Sequence, residues 1–298
     1  MTAEARWTVR EVLQWTRDRF SKEGLGSARL DAEVLLAYAL SCDRVGLYLD
    51  LDRPLDPSER GRYRELVARR LQREPVAYLV GEKEFWSRRF LVDARVLTPR
   101  PETELLVEQS LHALRDFRAP RVLDVGTGSG IVAVTLAAER PDALVVATDI
   151  SADALAVARQ NADRHEVTIE FREGDLLDGL GDQPAFRLIA ANLPYVAHAE
   201  RDSLEPELLR EPAGALFAEA DGLALLTRLI RTAPPRLEPG GLLLLEVGQG
   251  QADAVSALLR EAGFSDDVAV HRDLAGIERV VSARLPLGRS ERGRSEGA

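Results

Sequence analysis

The chain has 298 residues, of which 45% are hydrophobic and 30% are charged, a composition typical of a globular protein with room for two domains. Its net charge of −10 argues against stable, non-specific binding to DNA or RNA, because proteins that bind in that way are usually basic. Cys42 is the only cysteine and the four histidines are far apart in sequence, so an internal disulfide is excluded and no metal site is predicted.

Residues 1–73 are predicted to form a small domain of about four helices. Thr8 and Glu11 have the Thr-x-x-Glu spacing of a capping box, which predicts the start of the first helix. A second helix is expected near residues 28–40, and a third begins at Pro57 and is rich in arginine. Because no catalytic pattern lies in this region, we expect it to dock a partner and to contribute no chemistry.

The pattern changes at Glu74-Pro75, and residues 74–97 are predicted to form a β-hairpin that joins two domains. Residues 76–80 form an apolar run that is typical of a strand, and Gly81 is the predicted turn. Apolar residues return at positions 85–86 and 90–92, which predicts the second arm of the hairpin. Pro101 is then well placed to begin a helix, which we expect over residues 102–115.

Residues 98–285 alternate between strand and helix patterns, which predicts a doubly wound α/β sheet of seven strands. The last two strands are close in sequence, which indicates an antiparallel end of the sheet. Residues 286–298 are rich in Gly, Ser, Arg and Glu and are predicted to be disordered. The predicted strands are 121–125, 144–148, 167–170, 187–191, 242–247, 268–271 and 278–283, and the predicted helices are 130–139, 152–164, 220–233 and 251–262.

A short apolar strand that ends at an Asn-Leu-Pro-Tyr sequence is the main chemical signal of the chain. Pro194 cannot donate to a neighbouring strand, so Asn192 and Tyr195 are expected at a carboxyl strand end, where open α/β sheets bind ligands. The Asn192 side chain and the Leu193 backbone each offer a carbonyl acceptor, and Tyr195 offers a flat apolar face. These groups suit a planar –NH2 group, although an ordinary strand followed by a turn would give the same pattern.

A glycine-rich sequence and two aspartates indicate a nucleoside ligand. Asp149 ends the second strand of this domain, where a carboxylate can bind ribose hydroxyls, although beside Ser151 it can equally serve a helix N-terminus. Asp175 follows the third strand and can bind an adenine amino group, with Leu176 or Leu177 packed on the ring. The glycine-rich sequence follows the first strand and allows close approach of the backbone to a ligand. Its predicted ligand-binding residues are Gly126, Thr127, Gly128, Ser129 and Gly130.

With these motifs, the chain resembles the class I S-adenosylmethionine-dependent methyltransferases, and among them the peptide chain release factor glutamine-N5 methyltransferases. The resemblance covers nearly the whole chain, including the helical domain, the glycine-rich sequence, Asp149 and the Asn-x-Pro-Tyr motif. Two sequences distinguish it from DNA amino-methyltransferases, namely Pro-Val-Ala-Tyr-Leu-Val-Gly-Glu-Lys-Glu-Phe-Trp at 75–86 and Thr-Pro-Arg-Pro-Glu-Thr-Glu at 98–104. It also includes Glu211-Pro212, Ala215-Leu216 and Asp221-Gly222-Leu223.

The resemblance implies methyl transfer from S-adenosyl-L-methionine to the glutamine amide in the Gly-Gly-Gln loop of class 1 release factors. It implies neither a stable nucleic-acid partner nor a membrane. Asn192, Pro194 and Tyr195 are the implied catalytic residues, and Asn192 is also expected to contact the cofactor. The implied substrate-binding residues are Asn192, Leu193, Pro194, Tyr195, Arg100 and Glu102.

One position departs from the family pattern. The motif is usually Asn-Pro-Pro-Tyr, and this chain has Leu193 at the second position. Leucine keeps the backbone carbonyl that the substrate amide needs but lacks the fixed φ of proline. Because an amide nitrogen is a poor nucleophile and the methyl donor is already activated, we expect alignment to dominate, and the sequence assigns no histidine or glutamate as a base.

Two other functions fit part of the pattern. A DNA adenine-N6 or cytosine-N4 methyltransferase would also present an –NH2 group to Asn-x-Pro-Tyr, but the acidic charge and the lack of a base-reading domain argue against it. A module that binds a nucleoside or a partner without catalysis is disfavoured by the intact Asn192 and glycine-rich sequence. Residues 1–7 show no apolar signal region and no apolar run would span a bilayer, so we expect a cytoplasmic enzyme.

Overall fold

The computed structural model describes residues 7–219 and 221–287, which form two compact units. The first unit contains the described residues up to Glu82 together with Glu205–Arg210, and the second contains Lys83–Leu204 and the described residues from Glu211 onward. Every helix in these described ranges is too short or too polar to span a bilayer. Most of the predicted disordered tail, residues 288–298, lies outside the described residues.

The first unit is helical, as predicted. Both halves of the Thr8–Glu11 capping box are formed, so the first helix begins where the sequence indicates. Asp56 and Glu59 form a second capping box at the start of the arginine-rich helix. Apolar side chains from successive helices fill one core, among them the fully buried Phe20. The helices are α1 (Val9–Lys22), α2 (Ala28–Ala39), α3 (Arg44–Leu49), α4 (Pro57–Leu71) and α5 (Val76–Val80).

Ion pairs bind the segment Glu205–Arg210 to the rest of the first unit. Arg70 is buried and bridges Asp31, at 2.8 Å, and Glu207, at 2.9 Å. Arg73 reaches Glu207 as well, at 3.2 Å. Removing one partner of the buried Arg70 pairs would leave an uncompensated charge, so we expect Arg70→Ala to destabilise the unit.

The prediction of a strand over residues 76–80 is wrong, because this run forms helix α5. The Pro75 carbonyl accepts hydrogen bonds from the backbone N–H groups of Tyr78 and Leu79, at 3.0 and 3.1 Å, which closes a helical turn. Gly81 ends that helix in the left-handed conformation, with φ of 77°, instead of turning a hairpin. A short apolar run cannot be assigned to helix or strand by periodicity alone.

A hairpin does follow, one element later than predicted. Strand β1 (Glu82–Phe85) and strand β2 (Arg88–Leu91) form a two-stranded sheet. The two residues between them, Trp86 and Ser87, have φ of 50° and 55°. Positive φ at both central residues is the geometry of a two-residue hairpin turn that matches strand twist.

The second unit is built around a seven-stranded sheet, as predicted. Its elements after the hairpin are α6 (Thr103–Leu114), β3 (Arg121–Val125), α7 (Ile131–Glu139), β4 (Leu144–Asp149), α8 (Ala152–Arg164), β5 (Glu170–Glu173), β6 (Phe186–Ala191), β7 (Val196–Ala197), α9 (Ala213–Leu216), β8 (Phe217–Ala218), α10 (Ala224–Thr232), β9 (Leu237–Glu246), α11 (Ala252–Glu261), β10 (Ala269–Arg272) and β11 (Glu278–Arg284). The strand order of the sheet is β10-β11-β9-β6-β3-β4-β5. Strand β11 pairs antiparallel with β10 and β9, and the pairs from β9 to β5 are parallel.

The strand order places a topological switch point between β3 and β6. From β3 the chain continues to β4 and β5 on one side, and it then returns to β6 on the other side of β3. Ligands of open α/β sheets bind at the carboxyl ends of the strands at such a point. The fold therefore brings the sequences after β3 and β6 to one edge.

The two faces of the sheet pack against different helices, because side chains alternate along a strand. Leu123 and Ile189 pack in one apolar cluster with residues of α10 and α11. Val122 and Leu188 point the other way, into a cluster with residues of α6 and α7. This alternation decides which side chains at the strand ends face α6.

Strand β5 begins three residues later than the sequence predicts, at Glu170 instead of residue 167. The chain first closes the end of α8, where Glu166 has a φ of 55° and Val167 donates a backbone hydrogen bond to Ala162. The apolar Val167, which is typical of a strand, therefore belongs to the end of the helix. Asp175 still follows the strand end closely.

Candidate functional site

A cavity of about 470 Å³ lies at the carboxyl ends of β3, β4 and β6. This volume falls in the usual range for small-molecule sites, roughly 300–1,000 Å³. Among the predicted site residues, Gly130, Glu102 and Tyr195 are not part of its lining. The predicted residues that do line it are Arg100, Gly126, Thr127, Gly128, Ser129, Asp149, Asp175, Leu176, Asn192, Leu193 and Pro194.

The glycine-rich sequence adopts conformations that favour glycine. Gly126, Gly128 and Gly130 have φ of 72°, 57° and 83°. A Cβ at Gly126 would lie 2.8 Å from Leu193 Cδ2, so this residue is also restricted by space. Gly128 donates its backbone N–H to Asp149 Oδ2 at 2.8 Å. Leu193 packs against one part of the loop and Asp149 is hydrogen-bonded to another, while the loop lines the cavity.

Asp124 supports the same loop from beneath. Its Oδ2 accepts hydrogen bonds from the Thr127 hydroxyl, at 2.7 Å, and from the Ala133 backbone, at 3.1 Å. Burial raises the pKa of Asp124 to about 6, against the opposing effect of these two bonds. Ser129 is buried nearby, and its carbonyl accepts from Asn161 Nδ2 at 2.8 Å. The sequence analysis assigned no role to Asp124.

Asp149 ends β4, and its two carboxylate oxygens are both engaged. Oδ2 accepts from the Gly128 backbone, and Oδ1 accepts from the Ser151 backbone at 2.9 Å. Ser151 caps α8 itself, because its hydroxyl accepts from the Ala154 backbone at 3.1 Å. Burial raises the pKa of Asp149. A carboxylate oxygen can accept more than one hydrogen bond, so both oxygens retain capacity for a ligand in the cavity.

Asp175 and Leu176 line the same cavity, just after β5. Asp175 Oδ2 accepts from Arg228 Nη2 at 2.7 Å, a pairing with α10 that the sequence did not reveal. The Arg228 side chain is 51% exposed and that of Asp175 is 38% exposed, so the pair contributes little to stability. Leu176 has a φ of 53°, and its carbonyl accepts from the Thr148 hydroxyl at 3.0 Å.

The strand β6 places Asn192 where the sequence predicts. Its last residue, Ala191, lies opposite Val125 of β3 and Leu245 of β9. Asn192 Nδ2 donates to the Thr103 hydroxyl at 3.0 Å, and the residue lines the cavity. The two polar atoms of an amide lie on opposite branches, so this bond leaves Oδ1 as the atom available to a ligand.

Tyr195 is held by its backbone. Its carbonyl accepts from Gln251 Nε2 at 3.1 Å, and there is no space for a Cβ on Gly222, which packs directly against that carbonyl. Burial, together with a smaller effect of the nearby Glu246, raises the pKa of the Tyr195 hydroxyl to about 12. Its predicted contact with a substrate stays a prediction.

The Pro-Arg-Pro segment is anchored by a residue from far along the chain. Glu211 is buried, and it accepts from Arg100 Nη2 at 2.7 Å and from the Thr98 backbone at 3.1 Å. Arg100 reaches the cavity from this anchored position. Glu102 lies just before α6. The predicted substrate contacts of Arg100 and Glu102 stay predictions.

Two residues near Asn192 were missed by the sequence analysis. Thr103, the first residue of α6, is fully buried, and Glu246, the last residue of β9, is 1% exposed. Burial raises the pKa of Glu246 to about 7, and the neighbouring Thr103 and Asn192 side chains oppose this effect. A signal was present, because Glu246 is a charged residue that directly follows a run of four leucines.

Leu193 differs from the usual proline of the family, and its environment allows a prediction. The side chain is 4% exposed and packs over Gly126, so Leu193→Pro removes some buried apolar contact. The loss is about 1 kcal/mol for one carbon, and a more restricted unfolded chain offsets about 0.4–1 kcal/mol of it. We expect a melting temperature near that of the parent and undiminished turnover, because the backbone carbonyl remains. Loss of turnover without a change in melting would show that the Leu193 side chain shapes the pocket.

Comparison with known proteins places these features in a family. Residues 11–81 match the family described as PrmC N-terminal domain, and residues 101–222 match the methyltransferase small domain. The release factor glutamine methyltransferase of Geobacter sulfurreducens is 44% identical over 280 residues, which are 94% of this chain and 97% of that protein. The release factor glutamine methyltransferase of Bordetella pertussis is 46% identical over 260 residues, covering 87% and 96%.

A solved structure shows the same fold. A 16S rRNA methyltransferase of T. thermophilus, determined with AdoMet and guanosine, is similar over 68% of this chain and 49% of that chain, with a TM-score of 0.50 and 19% identity. The sequence relatives extend the match over both compact units at much higher identity. The chain therefore belongs to the release factor glutamine methyltransferase family.

Proposed function

We propose that this protein methylates the side-chain amide nitrogen of the glutamine in the Gly-Gly-Gln loop of class 1 peptide chain release factors. S-adenosyl-L-methionine is the methyl donor, and the reaction takes place in the cytoplasm, where release factors act. The observation that carries the proposal is the position of Asn192, at the end of β6 and on the wall of the cavity that the glycine-rich loop and Asp149 also line. The relatives named above are release factor glutamine methyltransferases over nearly their whole length.

The cavity fits the proposed cofactor. Gly126 lines the cavity and has a φ of 72°, which disfavours any residue with a side chain, so the backbone itself faces the cavity, as a methionine moiety would require. Asp149 has acceptor capacity for two ribose hydroxyls. Asp175 and Leu176 line it just after β5, where an adenine amino group and ring would lie. When bound, S-adenosyl-L-methionine supplies an activated methyl group.

The residues of the chain then act on the glutamine amide. Asn192 Oδ1 and the Leu193 backbone carbonyl accept its two N–H groups, which holds the nitrogen in line with the methyl group. Each such hydrogen bond contributes about 0.5–1.5 kcal/mol net, whereas alignment contributes roughly 7–11 kcal/mol in favourable cases. Alignment therefore outweighs direct stabilisation. Methylation makes the amide much more acidic, so its proton can leave after the methyl group has been transferred.

Methyl transfer to a defined acceptor tests the proposal. The full-length protein is incubated with S-adenosylmethionine carrying a labelled methyl group and a class 1 release factor. We expect one methyl group on the Gly-Gly-Gln glutamine, located by peptide mass spectrometry, and none on a release factor with that glutamine changed to alanine. Label on duplex DNA instead would favour an amino-methyltransferase of nucleic acid, and the absence of label on either acceptor would contradict catalysis.

The helical first unit is proposed to dock the release factor. Its arginines are not equivalent, because Arg70 and Arg73 are engaged in ion pairs with Glu207. Arg62 and Arg64 are exposed on α4. Arg62 Nε donates to the Ala39 carbonyl at 3.2 Å, a bond that leaves its other donors to meet an acidic partner. Deletion of residues 1–73 would also remove the partners of Glu207, so changes on the surface of α4 give a sharper test.

Charge reversal on α4 should weaken docking without changing the chemistry. For the double variant Arg62→Glu/Arg64→Glu, we expect the KM for the release factor to rise by about tenfold, or about 1.4 kcal/mol, at an unchanged affinity for the cofactor. Steady-state kinetics measures the first quantity and calorimetry the second. The matched control reverses two exposed arginines of the second unit, Arg231 and Arg260, and should leave the KM near that of the parent. Equal KM values for the two double variants would contradict docking through α4.

A further inference from the structure

A buried carboxyl lies behind the residue that is proposed to hold the substrate amide. Glu246 ends β9 on the face that packs against α6, and the neighbouring strand β6 is followed by Asn192. The β6–β9 register, in which Ala191 pairs with Leu245, sets Asn192 beside Glu246, and the Thr103 and Asn192 side chains lower the pKa of this carboxyl. Glu246 does not line the cavity, whereas Thr103 and Asn192 do. Any effect of Glu246 on a ligand therefore passes through these two side chains.

One atom of Glu246 is unusual for a buried polar group. Its Oε2 is buried and accepts no hydrogen bond from any residue that the structure describes. Nearly all buried polar atoms in proteins have a partner, and one without a partner calls for a functional reason. A carboxyl that only stabilised the fold would be expected to have both oxygens satisfied.

We propose that Glu246 is a positioning residue that, in its ionised form, orients the Asn192 amide so that Oδ1 faces the substrate. This inference rests on the proposed methylation of an amide. It assigns a role to a buried side chain that makes no contact with the cavity.

The direction of the hydrogen bonds follows from what each group can donate. An ionised carboxylate only accepts, so in the proposed arrangement the Thr103 hydroxyl directs its hydrogen to Glu246 while its oxygen accepts from Asn192 Nδ2. The Asn192–Thr103 bond of 3.0 Å belongs to this arrangement. Asn192 then presents an acceptor to the cavity, which matches the N–H groups of a glutamine amide.

Protonation of Glu246 reverses this order. The carboxylic acid can donate to the Thr103 oxygen, and the hydroxyl can then donate to Asn192 Oδ1. The amide would turn Nδ2 toward the cavity, where a donor would meet the donors of the substrate. Ionised Glu246 thus favours the productive amide orientation and protonated Glu246 the unproductive one.

The ionisation of Glu246 is poised near neutral pH. Burial raises its pKa from the ordinary 4.5 to about 7, and the nearby Glu102 raises it, whereas Thr103, Arg279 and Asn192 lower it. Arg279 on β11 is itself paired with Asp273 at 3.1 Å. Tyr195, after β6, is also near the carboxyl, and its pKa is raised to about 12, so it is neutral at this pH.

The orientation of the amide can be observed without any substrate. The chain has two asparagines, Asn161 and Asn192, so protein labelled with 15N-asparagine gives two pairs of side-chain amide signals. We expect the Asn192 signals to shift with a midpoint near pH 7 in the parent and to stay constant in Glu246→Gln. Asn161 is an internal control, because its Nδ2 donates to the carbonyls of Leu91 and Ser129 and lies apart from Glu246.

Kinetics tests the consequence for the reaction. In the parent, kcat should fall as the pH drops through about 7, because the productive amide orientation is lost. In Glu246→Gln this acid limb should disappear, with kcat lowered by at least about tenfold at pH 8 and cofactor affinity within about twofold. Thr103→Val should lower kcat similarly, and Thr103→Ser, which keeps the hydroxyl, should restore most of it. Glu261→Gln on the exposed face of α11 makes the same chemical change elsewhere and serves as the control.

The outcomes separate this inference from the proposed function. A parent that does not methylate release factors contradicts the proposed function, and the amide signals of Asn192 then still decide the hydrogen-bond order. A parent that methylates them, with Asn192 signals that do not titrate near pH 7, overturns the role of Glu246. Retention of the acid limb by Glu246→Gln would overturn it as well. If Glu246→Gln does not fold, the titration in the parent and the Thr103 pair still give the answer.

Discussion

Asn192→Ala is expected to abolish methyl transfer while the affinity for the cofactor stays within a few-fold of the parent value. Asn192 lines the cavity, and its Oδ1 is the proposed acceptor of a substrate N–H. Without it the amide nitrogen loses its alignment, and a misplacement of about 1 Å alone costs about a hundredfold in rate. Single-turnover kinetics measures the methyl transfer, and calorimetry measures the binding of the cofactor.

A matched control distinguishes this effect from a general loss of structure. Gln160→Ala removes an exposed side-chain amide from α8 and should leave both quantities unchanged. The melting temperature of Asn192→Ala should stay close to that of the parent, although Thr103 loses one hydrogen-bond partner. A variant that melts much earlier, or that loses the cofactor, would show that Asn192 is a structural residue of the turn after β6.

The sequence predicted the part of the site that is local in the chain. The glycine-rich sequence, Asp149 and Asn192 each follow a strand whose apolar pattern is clear, and parallel strands bring their carboxyl ends to one edge. The seven strands and the antiparallel end of the sheet were predicted for the same reason. The run of residues 76–80 was predicted wrongly, because five apolar residues fit a helix and a strand equally well.

The contacts that position the site could not be predicted, because they join residues far apart in sequence. Glu211 anchors Arg100 across 111 positions, and Asn192 reaches Thr103 across 89 positions. No periodicity links such residues, and their pairing follows only from the strand order and the packing of α6. The same holds for Asp175, whose exposed partner Arg228 belongs to a helix that the strand pattern does not position.

The glycine loop and Asp149 are hydrogen-bonded to each other, so Asp149→Ala is expected to reduce the affinity for the cofactor strongly. Asp149→Ala removes the acceptor of the Gly128 backbone N–H and the proposed acceptor of two ribose hydroxyls. Hydrogen bonds to a charged group contribute about 1.5–3 kcal/mol each, so affinity for S-adenosylmethionine should fall by at least about tenfold. Isothermal calorimetry with the cofactor alone measures this change without any release factor.

The fold should survive this substitution. Burial raises the pKa of Asp149, which means that keeping its charge inside the protein costs stability, and alanine removes that cost. Two hydrogen bonds from the Gly128 and Ser151 backbones are lost in exchange, so we expect a modest change in melting temperature. Asp153→Ala, an exposed carboxylate in the first turn of α8, is the control and should bind the cofactor as the parent does. Unchanged affinity in Asp149→Ala would remove Asp149 from the proposed ribose site and leave it as a support of the loop.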